Sequence, residues 1–167
     1  RASMIWSDFE TRLFVTITDL ASRTVLIIGA QDDQGKTGFP FIQFAGLNAL
    51  YGENDDIIAE LCGENVPEDM AIFTAQQHDD LERLGFAPAE DGSTTWRQNL
   101  PWPTPSRIIM NTVQASTLRL RDIGGIPSPD DLTYQAWRYP SRTPDLEHDP
   151  GDMNLHIPEL GIPREQQ

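Results

Sequence analysis

The chain is poor in cysteine, in basic residues and in long apolar runs. Cys62 is the only cysteine among 167 residues, so an internal disulfide is impossible and a reducing, cytoplasmic environment is expected. Lys and Arg number 12 against 26 Asp and Glu, a net charge of -14, which disfavours nucleic acids and anionic membrane surfaces as partners. No apolar stretch approaches the roughly 20 residues that span a bilayer, and no signal peptide is visible. These features predict a cytoplasmic protein with no nucleic-acid or membrane partner.

Histidines are scarce too, and none stands in a pattern typical of catalysis. His78 precedes Asp79, an order found in metal phosphohydrolases, but such a site needs further ligands. Pro150-Gly151 breaks any helix that would align a second possible metal clasp in the last part of the chain. That clasp consists of His148, Asp152 and His156. The sequence therefore predicts no catalytic residue, no metal and no cofactor.

One segment, residues 30–37, matches the loose pattern of a phosphate-binding loop, [AG]-x4-G-K-[ST]. It ends in Gly35-Lys36-Thr37 and follows an apolar run that predicts a strand. A phosphate loop needs consecutive backbone N–H groups that lead into a helix, whereas residues 38–42 are typical of a strand. Asp32 and Asp33 would also lie against the phosphates. We interpret the segment as a hairpin turn and keep a nucleotide-binding enzyme as an alternative.

Hydrophobic periodicity predicts an α+β fold, an antiparallel sheet with helices packed against it. The capping-box spacing of Ser7 and Glu10 predicts a first helix over residues 6–21. Three strands follow at 24–28, 41–44 and 57–62, and their short polar connections predict an antiparallel meander.

The second half of the chain supplies the remaining elements of an α-β-β-β-α-β-α order. A second helix is predicted from Pro67 to Leu84, with Gly85 in the left-handed conformation after its end. A strand is expected at 94–100, and a third helix from a Thr104 cap to Gly124-Gly125. Residues 128–137 predict a short last helix. Five residues are expected in one core: Leu84, Phe86, Ile109, Val113 and Leu120.

Three regions are distinguished by composition. Residues 1–3, ahead of Met4, are interpreted as an expression-tag remnant, and residues 4–138 as one domain. The last 29 residues, 139–167, hold five prolines and six acidic residues against two arginines, which predicts a tail and not a core element.

Aromatic residues carry the strongest binding signal, because large aromatic side chains anchor many protein interfaces. The alternative is that each tryptophan only fixes a helix end to the sheet. Trp102 stands out, because Pro101 and Pro103 prevent its loop from pairing as a central strand. The candidate partner-binding residues are Phe41, Phe44, Trp96, Trp102, Tyr134 and Trp137.

The order of elements resembles the type III secretion chaperone fold and its YbjN relatives, and most closely the actinobacterial TY-Chap domains. The resemblance covers about residues 5–138, and the tryptophan usual after the Leu-Gly pair is Phe86 here. The residues that carry it are Trp6 with Phe9, residues 41–44, Glu60-Leu61, Leu81 with Leu84-Gly85-Phe86, Thr117-Leu118-Arg119 and residues 128–132.

The resemblance implies a non-enzymatic, peptide-binding chaperone or adaptor, often a homodimer, that serves secreted or effector proteins. Its client would bind by addition to a sheet edge or as a helix in a groove. A regulatory domain that senses a small ligand is the second alternative. Residues 153–157 alternate apolar and polar, as a strand does, so we hypothesise that the tail docks on the body, or on a neighbouring protomer, where a client would bind.

Overall fold

The computed structural model describes residues 3–46, 56–64, 72–141 and 149–166, which form an antiparallel six-stranded sheet and three α-helices. The strands lie in the order β4-β5-β3-β2-β1-β6. The elements are α1 (Trp6–Thr18), β1 (Thr24–Gln31), β2 (Thr37–Ala45), β3 (Ile57–Cys62), α2 (Ala75–Arg83), β4 (Ala87–Pro88), β5 (Thr95–Leu100), α3 (Ser106–Thr117) and β6 (Leu132–Arg138). The predicted α+β class is confirmed.

The predicted meander is present as β1, β2 and β3. Leu26 pairs with Phe44 and Ile28 with Ile42, so alternate side chains of both strands point to one face. These four side chains are buried in the same cluster as the apolar faces of the helices. The helices therefore cover one face of the sheet, and the core lies between the two layers.

The predicted caps of the first two helices differ from those in the structure. α1 begins at Trp6, as predicted, but Ser7 lies inside the helix and is not its cap, and the helix ends at Thr18 instead of residue 21. α2 begins at Ala75, because Thr74 and Gln77 form the capping box there. The predicted start at Pro67 lies outside the described residues.

The end of α2 follows its prediction. Gly85 has φ +95°, and the Phe86 amide donates to the Leu81 carbonyl over 2.9 Å, as in a Schellman motif. Phe86 is thereby turned into the core.

The third helix begins at Ser106 with Pro105 as its cap residue, because the Thr104 hydroxyl donates to the Pro101 carbonyl instead of capping the helix. Beyond Thr117 the chain continues as one π-helical stretch, Leu118–Ile123. The five predicted core residues are all buried: Leu84, Phe86, Ile109, Val113 and Leu120.

The π-helical stretch brings Arg119 into the core. Its Nε donates to the Cys62 carbonyl over 2.5 Å, and its guanidinium lies 5.2 Å from the Phe73 ring centroid. Burial lowers the pKa of Arg119, because removal from water disfavours the charged form. Arg119 thus fixes the end of β3 to the helix layer.

The predicted last helix over residues 128–137 is wrong. The Ser128 hydroxyl accepts from the Asp130 amide and closes only one 3₁₀ turn, Pro129–Asp131. The next residues form β6, which pairs with β1 from Leu132 opposite Ala30 to Arg138 opposite Thr24. Leu132, Tyr134 and Ala136 are buried on the inner face at the two-residue period of a strand, while Thr133 between them is buried on the other face. The edge of β1 supplies the partner.

Residues 149–166 pack against this body. Ile157, Leu160 and Ile162 belong to the core cluster, although the composition predicted no core residue there. The division at residue 138 stays a prediction. None of the helices in the described part of the chain is long and apolar enough to cross a membrane.

Candidate functional site

A groove runs between α1 and β6, and residues 149–166 fill it. We call these residues the C-terminal segment and the cleft the α1–β6 groove. Its floor is the inner face of β6, with Tyr134 and Ala136, and its wall is the side of α1 that carries Arg12 and Thr16. A cavity of about 170 Å³ remains where Leu155 and Ile157 meet the end of α1.

The C-terminal segment is held along β6 by five main-chain hydrogen bonds. Arg138 and Asp152 exchange two, with N–O distances of 2.7 and 2.9 Å, and the Leu155 amide donates to the Ala136 carbonyl over 3.0 Å. The Tyr134 amide donates to Pro163 over 3.2 Å, and its carbonyl accepts from Glu165 over 2.7 Å. These bonds pair the outward amides and carbonyls of Tyr134 and Arg138 and the carbonyl of Ala136, groups that an added strand would also use.

Three apolar side chains of the segment enter the core between α1 and β6. Ile157, Leu160 and Ile162 are buried, and Gly161 between the last two has φ +72°. A Cβ added to Gly161 would lie 2.7 Å from Met4 Cε and 3.1 Å from Arg12 Cδ, which shows how closely the backbone approaches Met4 and α1. The Ile157 amide also donates to the Tyr134 hydroxyl over 2.8 Å. The groove thus recognises both the backbone and the side chains of its occupant.

An ion-pair clasp holds the start of the segment. Asp149 lies 2.8 Å from Arg138 Nε and 3.1 Å from Arg23 Nη2. The hydrogen bond from Arg138, together with the Gly151 amide, holds the pKa of Asp149 well below its usual range, and the same bond raises the pKa of Arg138. The carboxylate is therefore charged at neutral pH.

The turn between β1 and β2 holds the other end. The Gln166 amide donates to the Gly35 carbonyl over 3.1 Å, and the Thr37 amide donates to Glu165 Oε1 over 3.0 Å. Lys36 Nζ donates to the Gln166 carbonyl. The residues of the phosphate-loop pattern thus bind the protein's own chain.

The geometry of this turn is that of the predicted hairpin. Asp32 Oδ1 accepts from the amides of Gln34 and Lys36, each over 2.9 Å, and Thr37 begins β2 and not a helix. A phosphate loop would offer such amides to a phosphate, whereas here a carboxylate of the same turn takes them. These residues therefore lack the geometry of a phosphate-binding loop.

The six predicted partner-binding aromatics are dispersed. Phe44, Trp96 and Tyr134 are core residues, with 1, 5 and 3% of their surface exposed. Phe41 and Trp137 are half-buried and alternate with inward-facing neighbours, so they lie on the face opposite the helices. Only Tyr134 contacts the α1–β6 groove. The binding roles of all six stay predictions.

Trp102 is the most exposed of the six, with 47% of its surface accessible. It borders an open cleft of about 480 Å³ at the end of α1, which Leu20 and Ile57 also line.

The groove depends on residues that the sequence did not single out. Arg12, Arg23 and Arg138 contact the segment from α1, from the turn before β1 and from β6. No local motif surrounds these arginines, and their convergence exists only after β6 has paired with β1. The alternation of apolar and polar residues over 132–136 was the one sequence signal that could have indicated the strand β6.

The histidine patterns form no metal centre that the structure describes. His78 Nε2 pairs with Glu64 Oε1, while Asp152 and His156 are exposed. His148 lies outside the described residues. Among the residues that are described, no group of three His, Cys, Asp or Glu side chains is placed to hold a metal ion.

The opposite edge of the sheet has a different construction. β4 pairs only Ala87 with Arg97 and Pro88 with Trp96. The Ala89 amide donates to Thr95 of β5 over 2.9 Å, so by alternation the Pro88 nitrogen faces outward, where it cannot donate. Arg97 lies 3.0 Å from Asp91, and the Ser93 amide together with Arg97 lowers the pKa of Asp91 to about 2.

Comparison with protein families gives a match over most of the chain. Neither the curated proteins nor the solved structures contain one that matches it. A family model matches residues 2–138, which include every strand and α-helix described above and end where the C-terminal segment and its connection begin. That family is TY-Chap3, described as the T3SS (YopN, CesT) and YbjN peptide-binding chaperone 3, and the chain belongs to it.

Proposed function

We propose that the protein is a non-enzymatic chaperone-like module or adaptor that binds an extended segment of a client protein in the α1–β6 groove. The observation that carries this proposal is the row of main-chain hydrogen bonds between β6 and the C-terminal segment. A strand edge can bind many sequences through the backbone, while pockets for alternate side chains give selectivity. Secreted or effector proteins are the class of client that the resemblance favours, and the cytoplasm is the compartment that we propose.

The small-ligand alternative has its best support at the cleft beside Trp102. Its volume of about 480 Å³ lies within the roughly 300–1,000 Å³ of typical small-molecule sites, whereas the groove cavity of about 170 Å³ does not. Small-molecule sites bury most of the ligand, and this cleft is open with an exposed tryptophan at its rim. We therefore place the ligand-sensing function second.

The other partner that we propose is a second copy of the chain, which would form a homodimer, on the basis of the family resemblance. Static light scattering over a dilution series tests it, because a dimer in mass-action equilibrium loses mass on dilution. A mass near 18.8 kDa at tens of micromolar would contradict the proposal.

The function is tested by selecting binders from a displayed library of random 15-residue peptides on the full-length protein. We expect micromolar peptides with alternating apolar residues, and NMR shift changes at the amides of Tyr134, Ala136 and Arg138. Shift changes at Trp96 and Arg97 would place the site at the opposite edge, and no selected binder would refute peptide binding.

Trp102→Ala is the matched control. Trp102 is exposed and lines the neighbouring cleft but not the groove cavity, so its removal should leave the affinity of the selected peptides within about twofold. A loss of tenfold or more would move the site to the Trp102 cleft.

A further inference from the structure

The C-terminal segment lies outside the matched family domain, yet it fills the cleft of that domain. Residues 149–166 contribute no paired strand of their own, only two isolated bridges to β6: Arg138 with Asp152, and Tyr134 with Arg164. A core strand such as β1 pairs continuously on both sides. The segment is thus bound to the sheet by separate contacts, as a ligand is, and does not form a continuously paired strand of it.

The segment also buries fewer of its residues than the sheet does: three of 18, compared with five of eight in β1. Its three buried side chains are spread over a stretch in which each ordered residue costs about 1–2 kcal/mol of backbone entropy. A cavity of about 170 Å³ remains beside Leu155 and Ile157, so the fit is incomplete. Low density of buried contacts is the property of regions that open locally while the rest stays folded.

The charges around the groove complement an acidic occupant. Four of the 12 basic residues contact the segment in a protein whose net charge is -14. Arg23 and Arg138 bind Asp149, while Arg12 and Lys36 donate to main-chain carbonyls. A carboxylate near the start of a client segment would meet the same two arginines.

We propose that the C-terminal segment is the resident ligand of the α1–β6 groove, and that a client displaces it by presenting the same pattern. That pattern is a segment bent by one 3₁₀ turn, Pro158–Leu160 in the C-terminal segment, with four apolar side chains at positions i, i+2, i+5 and i+7, and a carboxylate six residues before the first. In the resident ligand these positions are Leu155, Ile157, Leu160, Ile162 and Asp149. The inference rests on the proposed function, since it names the partner and the regulation of that groove.

The first test uses the unmodified full-length protein. Amide hydrogen exchange should be at least tenfold faster at Leu155, Ile157 and Glu165, whose amides donate across the groove, than at the centre of β1. Equal protection would mean that the segment opens only with global unfolding, and would overturn the proposal.

The second test locks the segment with a disulfide through Arg138→Cys and Asp152→Cys. These two residues exchange both main-chain bonds, so their Cα atoms should lie about 5.5 Å apart, within the range that a disulfide spans. The probe is a fluorescein-labelled synthetic peptide of residues 149–166. We expect it to bind the unmodified protein and, through the remaining Arg23, the reduced variant, and to bind the oxidised variant at least tenfold more weakly than the reduced one.

The outcomes separate this inference from the proposed function. Equal binding to both redox forms, or no binding of the probe to the unmodified protein at millimolar concentration, the order of the effective concentration of a tethered segment, would overturn the resident-ligand proposal. Library peptides that still bind with shifts at β6 would then leave the proposed function standing. If the probe replaces the C-terminal segment but no library peptide binds at β6, the resident-ligand proposal would stand and the proposed function would fail.

Discussion

The two edges of the sheet differ in how their unpaired backbone groups are kept from pairing with another chain. At the β4 edge a two-residue strand ends in Pro88, whose nitrogen cannot donate to a further strand. At the β6 edge a seven-residue strand carries a regular row of donors and acceptors, which the C-terminal segment occupies. Proline and short length make an edge a poor template, whereas a long regular edge invites pairing. The edge suited to binding is therefore the one that already has an occupant.

The largest expected effect is a loss of global stability when the core beneath the sheet is disrupted. Leu120 is completely buried, so Leu120→Ala should reduce the free energy of unfolding by about 2–5 kcal/mol, as leucine truncations in cores do. Urea denaturation followed by circular dichroism measures it. A loss under about 0.5 kcal/mol would mean that Leu120 lies at a tolerant surface position.

A matched leucine in the segment should behave differently. Leu160 is as fully buried as Leu120, but Leu160→Ala should destabilise the docked segment and not the body. The loss in global stability is limited to the docking free energy and should be smaller than for Leu120→Ala. The substitution should reduce the docking free energy by at least about 1.4 kcal/mol, which is a factor of ten in an equilibrium constant. Hydrogen exchange at Leu155 should therefore become at least tenfold faster. If both substitutions reduce the free energy of unfolding equally, the segment unfolds together with the core.

The arginine clasps at the two edges allow a pH comparison. The pKa of Asp149 is lowered in the docked state, so its ion pair stabilises docking above the ordinary carboxyl pKa of 3.8 and is lost as the pH falls below that value. Asp149→Asn should therefore raise the exchange rate at Leu155, relative to the intrinsic rate at the same pH, roughly two- to fivefold at pH 7, the size expected for a solvent-exposed pair. It should also remove most of the rise in this ratio that the unmodified protein shows below about pH 4.

Asp91→Asn is the control, because Asp91 pairs with Arg97 at the other edge and titrates in the same acidic range. It should leave exchange at Leu155 unchanged at pH 7. If both variants accelerate exchange equally, the clasp at Asp149 has no specific part in docking.

The smallest expected effect is at the β4 edge. Pro88→Thr restores an outward donor at an exposed position, so the free energy of unfolding should change by no more than about 0.5 kcal/mol. Self-association should nevertheless increase, because the edge becomes a better template. Sedimentation velocity at equal concentrations of both proteins measures it, and unchanged association would show that length alone protects this edge.

The sequence predicted those parts of the fold whose signals are local. The apolar runs at 24–28 and 57–62, the Gly85 terminus and the core stripe of the third helix were all predicted correctly, because spacing and turn chemistry decide them. β6 was missed because Ser128, Pro129 and Asp130 imitate a helix start, and only the edge of β1 makes the strand the better solution. The groove was missed for the same reason, since Arg23 and Arg138 lie far apart in sequence and meet only across a completed sheet.

The turn at Asp32 has a consequence for assigning functions from short motifs. Its carboxylate satisfies the two amides that would otherwise be free to receive an anion from solution. This chain thereby occupies with its own acid the group of amides that a phosphate would need. A carboxylate bonded to the loop amides, together with a strand after the threonine, is thus a structural reason to reject a nucleotide-binding assignment that rests on a short Gly-Lys-Thr motif alone.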